Sequence, residues 1–188
     1  MREWLAYASG IAVALAYIPL ICGILNGSIR QSIATWSLWT TLDLISLVTT
    51  IADGGSPWLV LAFTVGAIIV TTLLIRQGGW TWGSMDTFAL SGVVASLVIW
   101  VVLGPKEGLI ASVAAIACAG SPALLKAFRF PAEERPVVWM LFGSGGVFAL
   151  LAAPTSAIAD TLFPACSVLM NGLMTIFSLR KPTAHPAP

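Results

Sequence analysis

Tyr17-Ile18-Pro19-Leu20, followed after a polar turn by Thr35-Trp36-Ser37-Leu38, is answered 103 residues later by Gly120-Ser121-Pro122-Ala123 and Val138-Trp139-Met140-Leu141. The one offset superposes Pro19 on Pro122 and Trp36 on Trp139, and it also aligns Ser9 with Ser112, Leu38 with Leu141 and Leu47 with Leu150. Matches of leucine and alanine mean little in an apolar chain. A proline and a tryptophan sharing one offset mean more, and they predict an internal duplication of the kind from which membrane carriers are built.

The composition around this repeat decides the environment. Of 188 residues, 58% are hydrophobic and 9% charged, with a mean hydropathy of +0.95. An ordinary soluble domain carries about a quarter of charged residues, so the chain reads as an all-α integral membrane protein. Apolar runs bounded by turn residues and prolines predict seven spans: about Leu5 to Leu25, Ile33 to Ile51, Trp58 to Ile75, Thr87 to Leu103, Leu109 to Ala127, Pro136 to Ala153 and Ile158 to Leu179. Pro105, Pro131, Pro136 and Pro154 mark the breaks between them. Seven spans fill the chain and leave no space for a soluble catalytic domain. The first run lacks a small-residue cleavage site and is expected to stay as a helix. Cys22, Cys118 and Cys166 all lie in apolar stretches and are expected as free thiols facing lipid or core. A formal net charge of +1 gives no attraction towards nucleic acid.

The duplication divides the spans. Residues 1–76 form a first three-helix repeat and residues 105–180 a second; residues 77–104 supply a linker helix, and residues 181–188 a short proline-rich tail expected to be disordered. Each repeat ends in an arginine, Arg76 or Arg180. Three crossings plus one linking crossing return the chain to the side where it began, so the 3+1+3 halves are parallel repeats. Seven basic residues, namely Arg30, Arg76, Lys126, Arg129, Arg135, Arg180 and Lys181, fall on one side of such a bundle, against Arg2 and Lys106 on the other. Short cytoplasmic loops collect Lys and Arg, which puts the N-terminus outside and the C-terminus inside. Trp4 and Trp58 are then expected as anchors at the outer interface and Trp36, Trp80, Trp82 and Trp139 at the inner one, with Trp100 near the outer end of the fourth span.

Two three-helix units joined by one helix, an outside N-terminus, and a proline in the first helix of each unit followed by a short basic turn resemble the PQ-loop and SWEET superfamily. The nearest likeness lies in Tyr17-Ile18-Pro19-Leu20 and in the Ser-x-x-x-Trp-x-x-Trp arrangement Ser32 to Trp39, which is shared with small bacterial membrane proteins of that kind. The glutamine of the family's Pro-Gln pair is Leu20 in one half and Ala123 in the other. The resemblance implies alternating access between the two repeats. It also implies a substrate asparagine on the third and seventh helices; Asn171 is present, while its counterpart is Ile68 or Ala67, with Thr64 about one turn away.

Polar residues inside apolar spans need a reason. Asp43 falls mid-way along the second span, where an aspartate costs roughly 2.5–3.5 kcal/mol. At helical spacing it shares a face with Trp36, Trp39, Thr40, Ser46 and Thr50. Two readings stay open: a structural aspartate bonded to a neighbouring helix, or a substrate or proton site. Asn171 shares a face with Ser167, Thr175 and Ser178 and serves either as packing glue or as a ligand group. Gly146, the repeat partner of Asp43 within Gly143-Ser144-Gly145-Gly146, allows close approach of a helix or a ligand. Pro19 and Pro122 act either as paired hinges or as static kinks. Lys126, Arg129, Glu133, Glu134 and Arg135 read as a solvated inner loop.

The sequence therefore predicts a carrier or facilitator of a small polar solute, with Asp43, Asn171, Trp36, Trp139, Thr40 and Thr64 as substrate-binding candidates, Pro19 and Pro122 as hinges, and proton linkage through Asp43 as a further expectation. The alternative on the same scaffold is a non-transporting receptor or a structural subunit. Enzyme chemistry is not expected. The single histidine, His185, lies in the tail, the cysteines lack metal-ligand spacing, and no phosphate loop or cofactor motif is present. The expected partners are the lipid bilayer and the solute, with a homo-oligomer left open; the expected location is a plasma membrane, the bacterial inner membrane by the resemblance.

Overall fold

The computed structural model describes residues 2–29, 31–78 and 84–180. Expectations for Arg30, Trp80, Trp82, Lys181 and the 181–188 tail lie outside the described residues. The architecture is all-helical: α1 Arg2–Leu25, α2 Ile33–Ala52, α3 Trp58–Gln77, α4 Ser84–Leu103, α5 Pro105–Arg129, a 3-10 turn Pro131–Glu133, α6 Pro136–Ala152 and α7 Ile158–Ser178. Four of these helices, α1, α3, α5 and α7, are long and apolar enough to cross a membrane, and α6 and the Leu90–Leu103 part of α4 are shorter apolar helices. This is the architecture of an α-helical membrane protein. Eight of the 20 residues of α2 are Ser, Thr or Asp.

The helix ends follow from local chemistry. Ser32 caps α2, its side chain accepting a hydrogen bond from the Thr35 amide at 3.3 Å. Gly78 closes α3 at φ 76°, a left-handed conformation that glycine adopts without Cβ strain, and its N–H bonds the carbonyls of Leu74 and Ile75. Pro105 and Pro136 occupy the first turns of α5 and α6 rather than the loops before them. The lost N–H is free of cost there, because the first helical amides have no partner within the helix. Pro19, Pro122 and also Pro164 lie inside helices.

α1 packs on α3 and α6; α5 packs on α7 and α2; α2 also packs on α3, and α6 on α7. α4 lies outside this set against α5 and α2. Glycine makes the closest seams. A Cβ on Gly145 of α6 would stand 2.6 Å from Val13 Cγ2 and 2.9 Å from the Ser9 carbonyl of α1, and one on Gly146 would stand 3.0 Å from the Pro164 carbonyl of α7. The Gly143–Gly146 stretch thus lets two helices press on α6 from different sides. On the α2–α5 seam, Ser46 and Ser112 hydrogen-bond at 2.9 Å.

The outward surface is apolar. Ile11, Leu15, Ile18, Ile51, Val65, Ile68 and Ile69 all expose their side chains, as does a run from Val101 to Leu103. Trp4 and Trp58 are exposed, whereas Trp36 and Trp139 are 3% and 7% exposed and point into the protein. The inner-anchor expectation for these two is corrected: each indole N–H is already bonded within the protein, Trp36 to Gln31 Oε1 and Trp139 to Glu134 Oε2, both at 3.2 Å. Cys22, Cys118 and Cys166 are free thiols, the first two exposed. The 126–135 loop is partly a packed cluster, since Lys126 pairs with Glu133 at 3.4 Å and Glu134 at 3.3 Å, and the Glu134 side chain is only 5% exposed.

Candidate functional site

Where α1, α2, α3, α5, α6 and α7 meet, they line a partly open cavity of about 100 Å³. Among the described residues α4 contributes nothing to its wall. α2 enters through three successive positions on one face, Trp36, Trp39 and Asp43, which at 1.5 Å per residue run about 10 Å along the helix towards its middle. α7 supplies Ser167 and Asn171, one turn apart, together with Cys166 and Met170. α5 contributes Val113, Ile116, Gly120 and Ala123, with Met170 of α7 packed against Gly120.

Aromatic rings make most of the rest of the wall. Tyr17 of α1 lies edge-on to Phe142 of α6 with ring centroids 4.9 Å apart, and Phe63 of α3 lies 5.2 Å from Phe142 and 5.8 Å from Phe163. Trp36 and Trp39 contact each other at 5.4 Å, and Trp139 and Phe142 at 6.0 Å. The Tyr17 hydroxyl donates to the Phe63 carbonyl at 3.0 Å, which fixes the ring without using any group of the cavity's far side.

The polar groups are few. Asn171 donates its amide to the Ser167 carbonyl at 2.8 Å and to Ser167 Oγ at 3.2 Å, and among the described residues nothing donates to its own side-chain oxygen. Asp43 is 7% exposed and lines the cavity. Among the described residues no donor hydrogen-bonds or ion-pairs with its carboxylate. Nor, among the described residues, does any Lys, Arg or His line the cavity. A buried charge without a partner is costly, and among the described residues Asp43 is the one side chain of the cavity with that character.

Of the residues singled out by sequence, the cavity brings together Asp43, Asn171, Trp36 and Trp139. Thr40 stands on the α2–α3 seam, bonding the Trp36 carbonyl at 2.7 Å and Thr71 Oγ1 at 2.8 Å. Thr64 is buried with its hydroxyl on the Val60 carbonyl at 2.8 Å. Neither lines the cavity. Pro19 and Pro122 are half-buried within α1 and α5, next to the cavity residues Tyr17, Gly120 and Ala123. The rings of Tyr17, Phe63, Phe142 and Phe163 were not legible as site residues, because an aromatic within an apolar run carries no signal of its own. Among the described residues there is no group of three or more His, Cys, Asp or Glu that would hold a metal ion. Compared with known proteins, the chain matches no protein-family model, no curated protein and no solved structure.

Proposed function

We propose that the protein is a membrane carrier of a small polar solute, of the PQ-loop and SWEET kind, working by alternating access between three-helix repeats 1–76 and 105–180. In this reading α4 is the linker, the bundle sits in a plasma membrane such as the bacterial inner membrane, and the N-terminus is outside. The observation that carries it is the cavity: six helices, three from each half, close around an unpaired Asp43 and the free oxygen of Asn171.

The packing supports a two-fold relation between the halves. Exchanging α1 with α5, α2 with α6 and α3 with α7 turns the α1–α6 contact into α5–α2, α1–α3 into α5–α7 and α2–α3 into α6–α7, and every one of these pairs packs together. Bonds recur at the offset of 103 residues as well: Trp36 to Gln31 and Trp139 to Glu134, and Ser9 Oγ to the Ala6 carbonyl and Ser112 Oγ to that of Leu109. Asp43 has Gly146 as its counterpart, so the carboxylate comes from the first half alone, while Asn171 and Ser167 come from the second.

The test is reconstitution of the purified chain in vesicles, with uptake of sugars, amino acids and amines measured after a melting-temperature screen of the same solutes. Saturable uptake of one class, with its pH dependence abolished by Asp43→Asn, is the expected result. Binding without uptake would replace the carrier by a receptor, and neither binding nor uptake across the screen would favour a structural subunit.

A further inference from the structure

The chemistry of the cavity wall narrows the solute. Among the described residues, seven of its 17 lining residues are aromatic, one is a carboxylate, and none is a Lys, Arg or His. A carboxylate buried in such surroundings is relieved either by a proton or by a cation. The rings then select the kind of cation. π faces attract positive charge, most strongly when water is excluded, and cages of such rings suit ammonium groups whose charge is spread over alkyl carbons. A hard inorganic cation such as Mg²⁺ or Ca²⁺ needs about six oxygen ligands. Here the side-chain oxygens beyond Asp43 are those of Ser167, Asn171 and Tyr17, and the Tyr17 hydroxyl is bonded to Phe63.

We infer that the cavity binds a small organic cation of the alkylammonium class, with the Asp43 carboxylate as counter-ion and the rings of Tyr17, Trp36, Trp139 and Phe142 as its cage. The binding stands by itself; its use in transport rests on the carrier reading. Because one carboxylate serves the site, cation and proton exclude each other there. The proton leaves the Asp43 oxygen when the cation arrives and returns when it departs, so the charge of the occupied site is the same in both forms. The other titratable groups in the wall, Tyr17 of α1 and Cys166 of α7, are neutral acids that supply no counter-charge, and α3, α5 and α6 place no titratable side chain there among the described residues. A carrier built this way exchanges protons for cations across the membrane.

The full chain in non-ionic detergent provides the test, with its melting temperature followed in tetramethylammonium chloride, sodium chloride and neutral tert-butanol at equal concentrations. Tetramethylammonium alone is expected to raise it. Its apparent affinity falls at least tenfold in Asp43→Asn and in Trp139→Leu. In the unaltered protein the shift shrinks as the pH is lowered, a readout that needs no variant to fold. Equal protection by tert-butanol or by sodium, or a tetramethylammonium shift that Asp43→Asn and pH both leave intact, overturns the inference. Labelled methylammonium flux in vesicles separates the two readings. Protection without flux defeats the carrier and keeps the cation site, whereas flux of a neutral solute without any protection by tetramethylammonium defeats the cation site and keeps the carrier.

Discussion

Gly66 of α3 lies against the ring of Tyr17 of α1 so closely that the methyl group of an alanine there would overlap the ring. The ring cannot withdraw, because its hydroxyl is held by the Phe63 carbonyl at 3.0 Å and its other edge meets Phe142. The second half makes a related contact in reverse. Gly120, the counterpart of Tyr17, is the small partner, and the residue that crowds it is Met170 of α7. Large and small have changed sides while the seam between first and third helix of each half is kept.

Gly66→Ala should therefore destabilise the fold by about 1–3 kcal/mol, the usual cost of overpacking, and displace Tyr17 into the cavity. Gly172→Ala is the control. Nothing stands within 4 Å of a Cβ at that helical position, so alanine should be neutral or stabilising by up to ~1 kcal/mol. Thermal melts of both variants check the contrast; equal effects would mean that the Tyr17–Gly66 contact does not govern the seam.

How far these features could be read from sequence depends on what signal each one carries. Helix positions were legible to within a few residues because apolar runs and turn residues alternate sharply; α2, expected from Ile33 to Ile51, ends at Ala52. Pro105 was read as a break before a span starting at Leu109 yet begins α5, since a proline looks the same in a loop and in a first turn, whereas Pro136 starts α6 as it was expected to start the sixth span. Asp43 stood out because an acid in an apolar span is expensive. The direction of Trp36 and Trp139 did not, because an indole near a helix end serves equally to meet the interface or to fill the interior. Pro164 and the close approach of Gly146 to its carbonyl depend on which helices are neighbours, which no single-helix pattern contains.

The basic residues predict sidedness that labelling can read. With Cys22, Cys118 and Cys166 replaced by alanine, Ser56→Cys in the exposed α2–α3 turn should react with an impermeant maleimide from outside intact cells. Ala132→Cys, exposed in the turn between α5 and α6, should react only after permeabilisation. The reverse pattern would invert the orientation, and labelling of both from one side would break the odd number of crossings between them.

Glu134 and Gln31 occupy equivalent places, each accepting an indole N–H at 3.2 Å, but Glu134 also holds Lys126 at 3.3 Å. Glu134→Gln retains what the first half manages with, and Lys126 keeps Glu133, so a cost below about 1 kcal/mol is expected. Glu134→Leu strands the Trp139 N–H in a buried position and should cost about 1–3 kcal/mol. Melting temperatures of the two variants decide it. A leucine variant as stable as the glutamine one would show that the Trp139 bond is dispensable.

Pro19 and Pro122 each remove one backbone hydrogen bond within a helix, beside the cavity residues Tyr17 and Ala123. A missing bond makes a helix easier to bend at that turn, and two such points at equivalent places in the halves let both bend together. Pro19→Ala and Pro122→Ala restore the bond. If bending is part of the transport cycle, each variant should melt no lower than the parent and bind solute with unchanged affinity, while uptake slows at least tenfold, equivalent to about 1.4 kcal/mol in the barrier. Static kinks behave differently: straightening the helix would shift the wall of the cavity and weaken binding and uptake in proportion. Measuring affinity by melting shift and rate by vesicle uptake in the same preparations separates the two, and equal losses in both quantities would leave the prolines as shape-giving residues rather than hinges.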